Sequence, residues 1–171
     1  DKVLSSRVLY MKGLEHIGIT VIDTITYLLG YPQMVMAYNR VFNQESREYS
    51  YEFIMFYDKF TISVQTTDSD DYVYNYHIFE VDILLADSRM SVVDNSRLLK
   101  KYKLADYAYS GVKVLDEKNC EYQETEYKNS MLNMIDYVNK VTRGQEKHCI
   151  NTPQMSYNNK LIIDAIIESY E

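Results

Sequence analysis

The stretch GLEHIGITVIDTITYLLG, residues 13–30, decides how the rest of the chain is read. Ile17, Val21, Ile25 and Leu28 recur at helical spacing, and Ile22 and Leu29 widen the stripe. A stripe that broad predicts a helix packed on a wide surface such as a sheet. Gly13 provides a turn into the helix, and Gly30 with Pro32 just beyond provides the stop. His16 and Thr20 stand four residues apart near the start, one helical turn from each other.

Upstream, residues 2–11 read as a strand with one well-buried face: Val3, Arg7 and Leu9 share one parity, Leu4, Val8 and Tyr10 the other. Downstream, from Gln33 to about Lys103, the period changes to two. The runs 33–42, 49–58 and 59–67 are rich in β-branched and aromatic residues and are joined by short polar connections at 43–48 and 58–59. Residues 74–86, 88–94 and 95–105 continue the meander, with turns at Asp87-Ser88 and Asp94-Asn95. Helical spacing resumes after about residue 124. Tyr127, Met131, Met134, Ile135 and Val138 form one inward stripe. A last helix follows, with Ser156 as its N-cap and Leu161, Ile162, Ala165 and Ile166 facing inward.

Elements segregated in this way predict a single α+β domain over residues 1–171. Its core is an open, mostly antiparallel sheet with helices packed on one face. Strands such as YEFIMFY (51–57) carry apolar or tyrosine side chains on both parities. The other face is therefore expected to be available for dimerisation, with a partner subunit as its cover.

The totals narrow the function. With 46% hydrophobic and 25% charged residues the 171-residue chain has ordinary globular composition. No run approaches the roughly 18 apolar residues of a membrane-spanning helix, and residues 1–11 do not read as a signal peptide, since they are amphipathic and lack a basic-then-apolar order. A net charge of −7 argues against nucleic acid. Arg97, Lys100, Lys101 and Lys103 alternate with apolar residues and read as a solvated strand edge. Cys120 and Cys149 lack metal-ligand spacing and read as free thiols of a reducing cytoplasm. The acidic run at 67–71 has no EF-hand spacing and no glycine, so it reads as a turn. The chain opens on Asp1 directly in a strand, and the expectation is a fragment preceded by a further piece of the natural protein.

Much familiar chemistry is missing. The five glycines (Gly13, Gly18, Gly30, Gly111 and Gly144) form neither a dinucleotide-binding turn nor a P-loop. No nucleophile sits in a G-x-S-x-G elbow. His77 reads as a strand residue and His148 as an exposed loop residue. His16 is different, because it lies between two glycines where a helix start can aim a side chain into a cleft. Two roles stand open for it: proton transfer, which suits an imidazole at neutral pH, or capping and packing. Thr20 presents a hydroxyl to the same space.

The string YMKGLEHIGITVIDTITYLLGYP, residues 10–32, resembles the start of the C-terminal domain of Gfo/Idh/MocA-type oxidoreductases. Those proteins show Y-x-x-G-x-x-[HD]-x-G-x-H-x-[IL]-D and then a helix ending LLG-x-P. Tyr10, Gly13, His16, Gly18, Ile22, Asp23, Leu28, Leu29, Gly30 and Pro32 fall in register. The tail is similar as well, with residues 133–146 like the helix before an I-x-G turn and 156–171 like the closing helix.

The resemblance implies a substrate-binding and dimerising domain whose N-terminal dinucleotide-binding half lies outside this chain. It implies a homodimer using NAD or NADP in the full-length protein, with hydride transfer to or from a sugar or polyol-type substrate; the cysteines place the expectation in the cytoplasm. The lysine of the family's Glu-Lys-Pro motif belongs to the other half. Within this chain it assigns proton handling and substrate contact to His16, a weaker substrate contact to Thr20 and a charge at the cleft to Lys12. Asp23 reads as structural. One departure matters: the family's usual histidine position is Thr20 here, and threonine cannot replace an imidazole as acid or base. That departure keeps a second expectation alive, a non-catalytic dimerising or ligand-sensing module that retains the fold.

Overall fold

A computed structural model of the chain describes residues 2–44, 46–67, 78–107, 111–146 and 152–171. Among these, nine strands form one open sheet: β1 Val3–Tyr10, β2 Met34–Asn43, β3 Glu48–Phe56, β4 Thr61–Thr66, β5 Phe79–Leu85, β6 Ser88–Val93, β7 Leu98–Asp106, β8 Lys113–Leu115 and β9 Glu121–Glu124. A wide π-helical turn at Gly13–Gly18 runs into α1, Ile19–Leu29. Helix α2 spans Ser130–Thr142 and α3 spans Pro153–Tyr170. His77, His148, Cys149 and all of the acidic run except Thr67 lie outside the described residues.

The strand order is β2-β3-β4-β1-β5-β6-β7-β8, with β9 also pairing β7. β1 interrupts the meander, running parallel to β4 and antiparallel to β5. The parallel pair follows from α1, which carries the chain across the sheet so that β2, β3 and β4 fold back and return alongside β1 in its own direction. The remaining pairings among the described residues are antiparallel, and the α+β class predicted from the sequence is the one observed.

The core lies under one face. Val8 and Tyr10 of β1, Phe53 and Met55 of β3, Ile62 and Val64 of β4, and Val81 and Ile83 of β5 bury against Val21, Ile22 and Ile25 of α1 and Ile162, Ile163 and Ile166 of α3. A polar bridge joins the two helices. Asn159, only 2% exposed, donates from Nδ2 to Asp23 Oδ1 at 2.9 Å and accepts from Thr26 Oγ1 at 3.1 Å. Buried amides need such partners, so this contact sets how α3 meets α1. Asp23 is therefore turned toward α3, in the structural role expected of it.

Four expectations need correction. Helix α3 starts earlier than Ser156: Thr152 is the N-cap, accepting from Met155 N–H at 3.2 Å, and Pro153 takes the first helical position. Proline has no N–H to satisfy there, which favours that start. Leu161 points outward, 48% exposed, and Ile163 fills the core in its place. The lysines of β7 are not on a bare edge, because β9 pairs with Leu98–Lys101 and β8 with Leu104–Asp106. Most consequentially, the α2 stripe is not core: Tyr127, Met131, Met134, Ile135 and Val138 are 45% to 66% exposed. Helix α2 follows β9 at the β7 side of the sheet, whereas α3 packs on β2 at the opposite edge and on α1. Amphipathic spacing records that a face has a partner; it does not say that the same chain supplies it.

The second face of the sheet is mixed. Met36 and Ile54 pair across β2 and β3 and give it an apolar flank. Its centre is polar, with Arg7, Asp82 and Ser91 in register across β1, β5 and β6. Asp82 accepts two hydrogen bonds from Arg89, each 2.8 Å, and one from Ser91 Oγ at 2.7 Å. Burial pushes this carboxyl up, but the bonds from Arg89 and Ser91 and the charges of Arg89 and Arg7 outweigh it and hold Asp82 below the usual aspartate range.

Candidate functional site

The site is built where β1 hands over to the helix. Tyr10 ends the strand fully buried, and its hydroxyl accepts from Tyr51 N–H at 2.7 Å and donates to Tyr51 O at 2.9 Å. A phenol bonded both ways to one residue pins the end of β1 to β3. Lys12 and Gly13 then both take the left-handed region, φ 71° and 85°. For lysine this costs about 1–2 kcal/mol, and strain of this kind gathers at functional turns.

Gly13 is required twice over. Its φ suits no L side chain, and a Cβ there would lie 2.0 Å from the Glu48 carboxyl carbon. Its N–H donates to Ser50 Oγ at 2.7 Å, and Glu15 N–H donates to Glu48 Oε2 at 2.9 Å. The helix thus begins with no capping side chain of its own, and β3 supplies the acceptors. Gly18 permits a second close approach, since a Cβ there would meet Leu14 Cδ1 at 3.0 Å and Tyr10 Cε2 at 3.2 Å. Wide helical turns of this kind recur at functional sites.

The three residues singled out from the sequence separate by exposure. His16 and Thr20 are exposed on the outer side of the turn and of α1, whereas Lys12 is 8% exposed, within the junction. Lys12, expected as a charge at the cleft, is thus close to the site but largely covered. Around His16 the charged neighbours are Glu48 on β3 and Glu15 on the same turn, with Lys160 of α3 reaching Glu15 at 3.3 Å and Asp164 at 2.8 Å. Burial lifts Glu48 above the usual glutamate range; the bond from Glu15 N–H and the charge of His16 draw it partly back.

Glu48 and Ser50 are the site residues that sequence reasoning missed. They sit 33 and 37 residues from their partners, Glu48 at the end of what reads as a polar connection and Ser50 just inside the strand after it. One signal pointed to them: the helix start YMKGLEH has no Ser, Thr, Asp or Asn in the capping position, so an acceptor had to come from elsewhere.

The junction does not fit a dinucleotide. It has no glycine-rich strand-to-helix loop, and the amide seat that a diphosphate would occupy holds Glu48. Among the described residues no three of His, Cys, Asp and Glu gather as a metal-ligand set, and no helix is long and apolar enough to cross a membrane. A cavity of about 830 Å³ lies elsewhere, between α2 and the β6–β7 turn, lined by residues that include Ser96, Thr125, Tyr127, Met134 and Val138. None of Lys12, His16 and Thr20 borders it. The His16 turn is the better candidate for chemistry because the titratable side chains of His16, Glu15 and Glu48 converge there, whereas the groove is almost wholly apolar.

No family model matches the sequence, and no curated protein matches it. Solved structures do match. UDP-N-acetylglucosamine 3-dehydrogenase GnnA from Acidithiobacillus ferrooxidans superposes with a TM-score of 0.68 at 11% identity, covering 99% of this chain and 55% of its own. Levoglucosan dehydrogenase gives 0.68 at 14% identity, covering 98% and 57%, and has also been solved in complex with NADH and L-sorbose. A dehydrogenase, MviM, from Clostridium difficile gives 0.65 at 13% identity, covering 99% and 55%. The chain spans about half the length of the solved structures it matches. These neighbours are Gfo/Idh/MocA-type oxidoreductases, so the likeness carried by the first motif is met at the level of the fold.

Proposed function

We propose that this chain is the C-terminal substrate-binding and dimerisation domain of an NAD(P)-dependent oxidoreductase acting on a sugar or polyol-type substrate in the cytoplasm. The observation that carries the reading is the strained Lys12–Gly13 junction, which launches a helix with His16 and Thr20 outward in a fold shared with sugar dehydrogenases. In this reading the cofactor, NAD or NADP, is held by a domain outside this chain, and a homodimer forms through the open sheet face.

The chain's own residues do the following work. His16 accepts or returns the proton of the reacting hydroxyl, the role an imidazole performs near neutral pH. Thr20, one turn on, hydrogen-bonds a neighbouring hydroxyl of the same ligand. Lys12 stiffens the junction and lends positive charge behind it. The test is reduction of NAD or NADP by the full-length protein over a panel of polyols and sugars. His16→Ala is expected to lower kcat by roughly 100-fold or more, the usual worth of a general acid–base, with a much smaller change in KM. Thr20→Ala is expected to act mainly on KM. Equal kcat in the wild type and His16→Ala overturns the assignment.

One observation favours a second reading. Thr20 occupies the position where the resembled family has its histidine. A protein that binds polyol and cofactor but turns over neither would be a ligand-sensing module on the same fold.

A further inference from the structure

The carboxylate of Glu48 crosses from β3 to the first turn of the helix, 33 residues away in sequence, and accepts from Glu15 N–H at 2.9 Å. The backbone N–H of His16 also bonds it. Gly13 leaves the space that the carboxylate fills, and Ser50, two residues along β3 and fully buried, takes the Gly13 N–H at 2.7 Å. Two side chains of one strand therefore fix three successive parts of the turn that bears His16. Backbone amides at a helix start attract anions, and here the protein has installed its own.

We infer that Glu48 is the positioning residue of the His16 turn, and that by filling its amide seat it restricts the ligand there to an uncharged polyhydroxyl group rather than a phosphorylated or acidic one. The inference rests on the reading of His16 as the ligand-facing group. Glu48 fixes the backbone from which the imidazole is presented, and the charge of His16 favours the ionised form of Glu48. The other charged groups at this place are Glu15, which opposes Glu48, and Lys160, which is drawn to Glu15 and Asp164. Lys12 lies on the inner side of the turn. An incoming phosphate would have to displace a carboxylate already bonded to two amides.

The experiment is NMR on this chain. In the wild type, the amides of Glu15 and His16 are expected to titrate in step with the Glu48 carboxyl carbon. His16→Gln is expected to move that titration to higher pH, because the imidazolium favours the ionised carboxylate. Glu48→Ala should speed hydrogen exchange at those two amides by ~10-fold, the worth of one lost hydrogen bond, and shift the His16 ring resonances, while Glu48→Gln restores both. Inorganic phosphate should leave the wild-type amides unmoved and shift them saturably in Glu48→Ala. Amides indifferent to the carboxyl titration, or a Glu48 titration unchanged in His16→Gln, overturn the positioning role even if Glu48→Ala does not fold. Phosphate binding at the wild-type turn overturns the ligand class. None of these readings requires turnover, so failure of the oxidoreductase reading leaves a different signature: a Glu48 that behaves as stated in a protein that oxidises no polyol.

Discussion

Lys12 and Gly13 share positive φ but differ in what replacement would do. Gly13→Ala adds a side chain in a left-handed conformation and drives it into Glu48, whose carboxylate is bonded and cannot simply swing away. A loss of at least about 2 kcal/mol in urea unfolding is expected, and a loss below about 0.5 kcal/mol would show that the turn relaxes freely. Asp82 gives a pH signature. Its native titration lies below the ordinary value of 3.8, so the stability it contributes is present above that value and fades as pH falls through the native one. Asp82→Asn should cost about 1 kcal/mol at pH 7, modest because the Arg89 side chain is 40% exposed, and should flatten the acid limb of stability. Glu48 has the opposite sign: its raised native titration makes folding cost more as pH rises through it. His16 and Thr20 were legible because a local period and two glycines frame them. Glu48 and Ser50 were not, because a cap supplied across a sheet leaves no trace in the spacing of the strand that supplies it.

Helices α1 and α3 were readable as packing helices because their apolar residues repeat against a buried face, and the strands from β1 to β7 as strands because β-branched and aromatic residues recur along them between short polar turns. The short β8 and β9 escaped notice: three or four residues hold too little pattern, and β9 is exposed along its whole length. Helix α2 was readable as a helix but not as an exposed one, since Tyr127, Met131, Met134 and Val138 recur at steps of four and three as a buried seam would. The consequence is measurable. Ile163→Ala, in the core, should cost about 2–5 kcal/mol, whereas Met131→Glu should stay within about 0.5 kcal/mol. Urea midpoints decide it, and a large loss for Met131→Glu would mean that α2 is packed in solution.

For the molecule as a whole, the sheet has helices on one face and a polar centre with an apolar flank on the other. If that face joins two copies, sedimentation equilibrium at tens of micromolar should show a dimer, and a clean monomer would remove dimerisation from the proposed role. Part-exposed charge pairs such as Asp82 with Arg89 would then become covered, and would set the register of the pair rather than its strength. The functional reading turns finally on where a polyol binds. Amide-shift mapping of this chain with L-sorbose or sorbitol is predicted to perturb Gly13 to Thr20 together with Glu48 and Ser50. Perturbation confined to the α2 groove, or none at millimolar ligand, would contradict the placement of the site at the His16 turn.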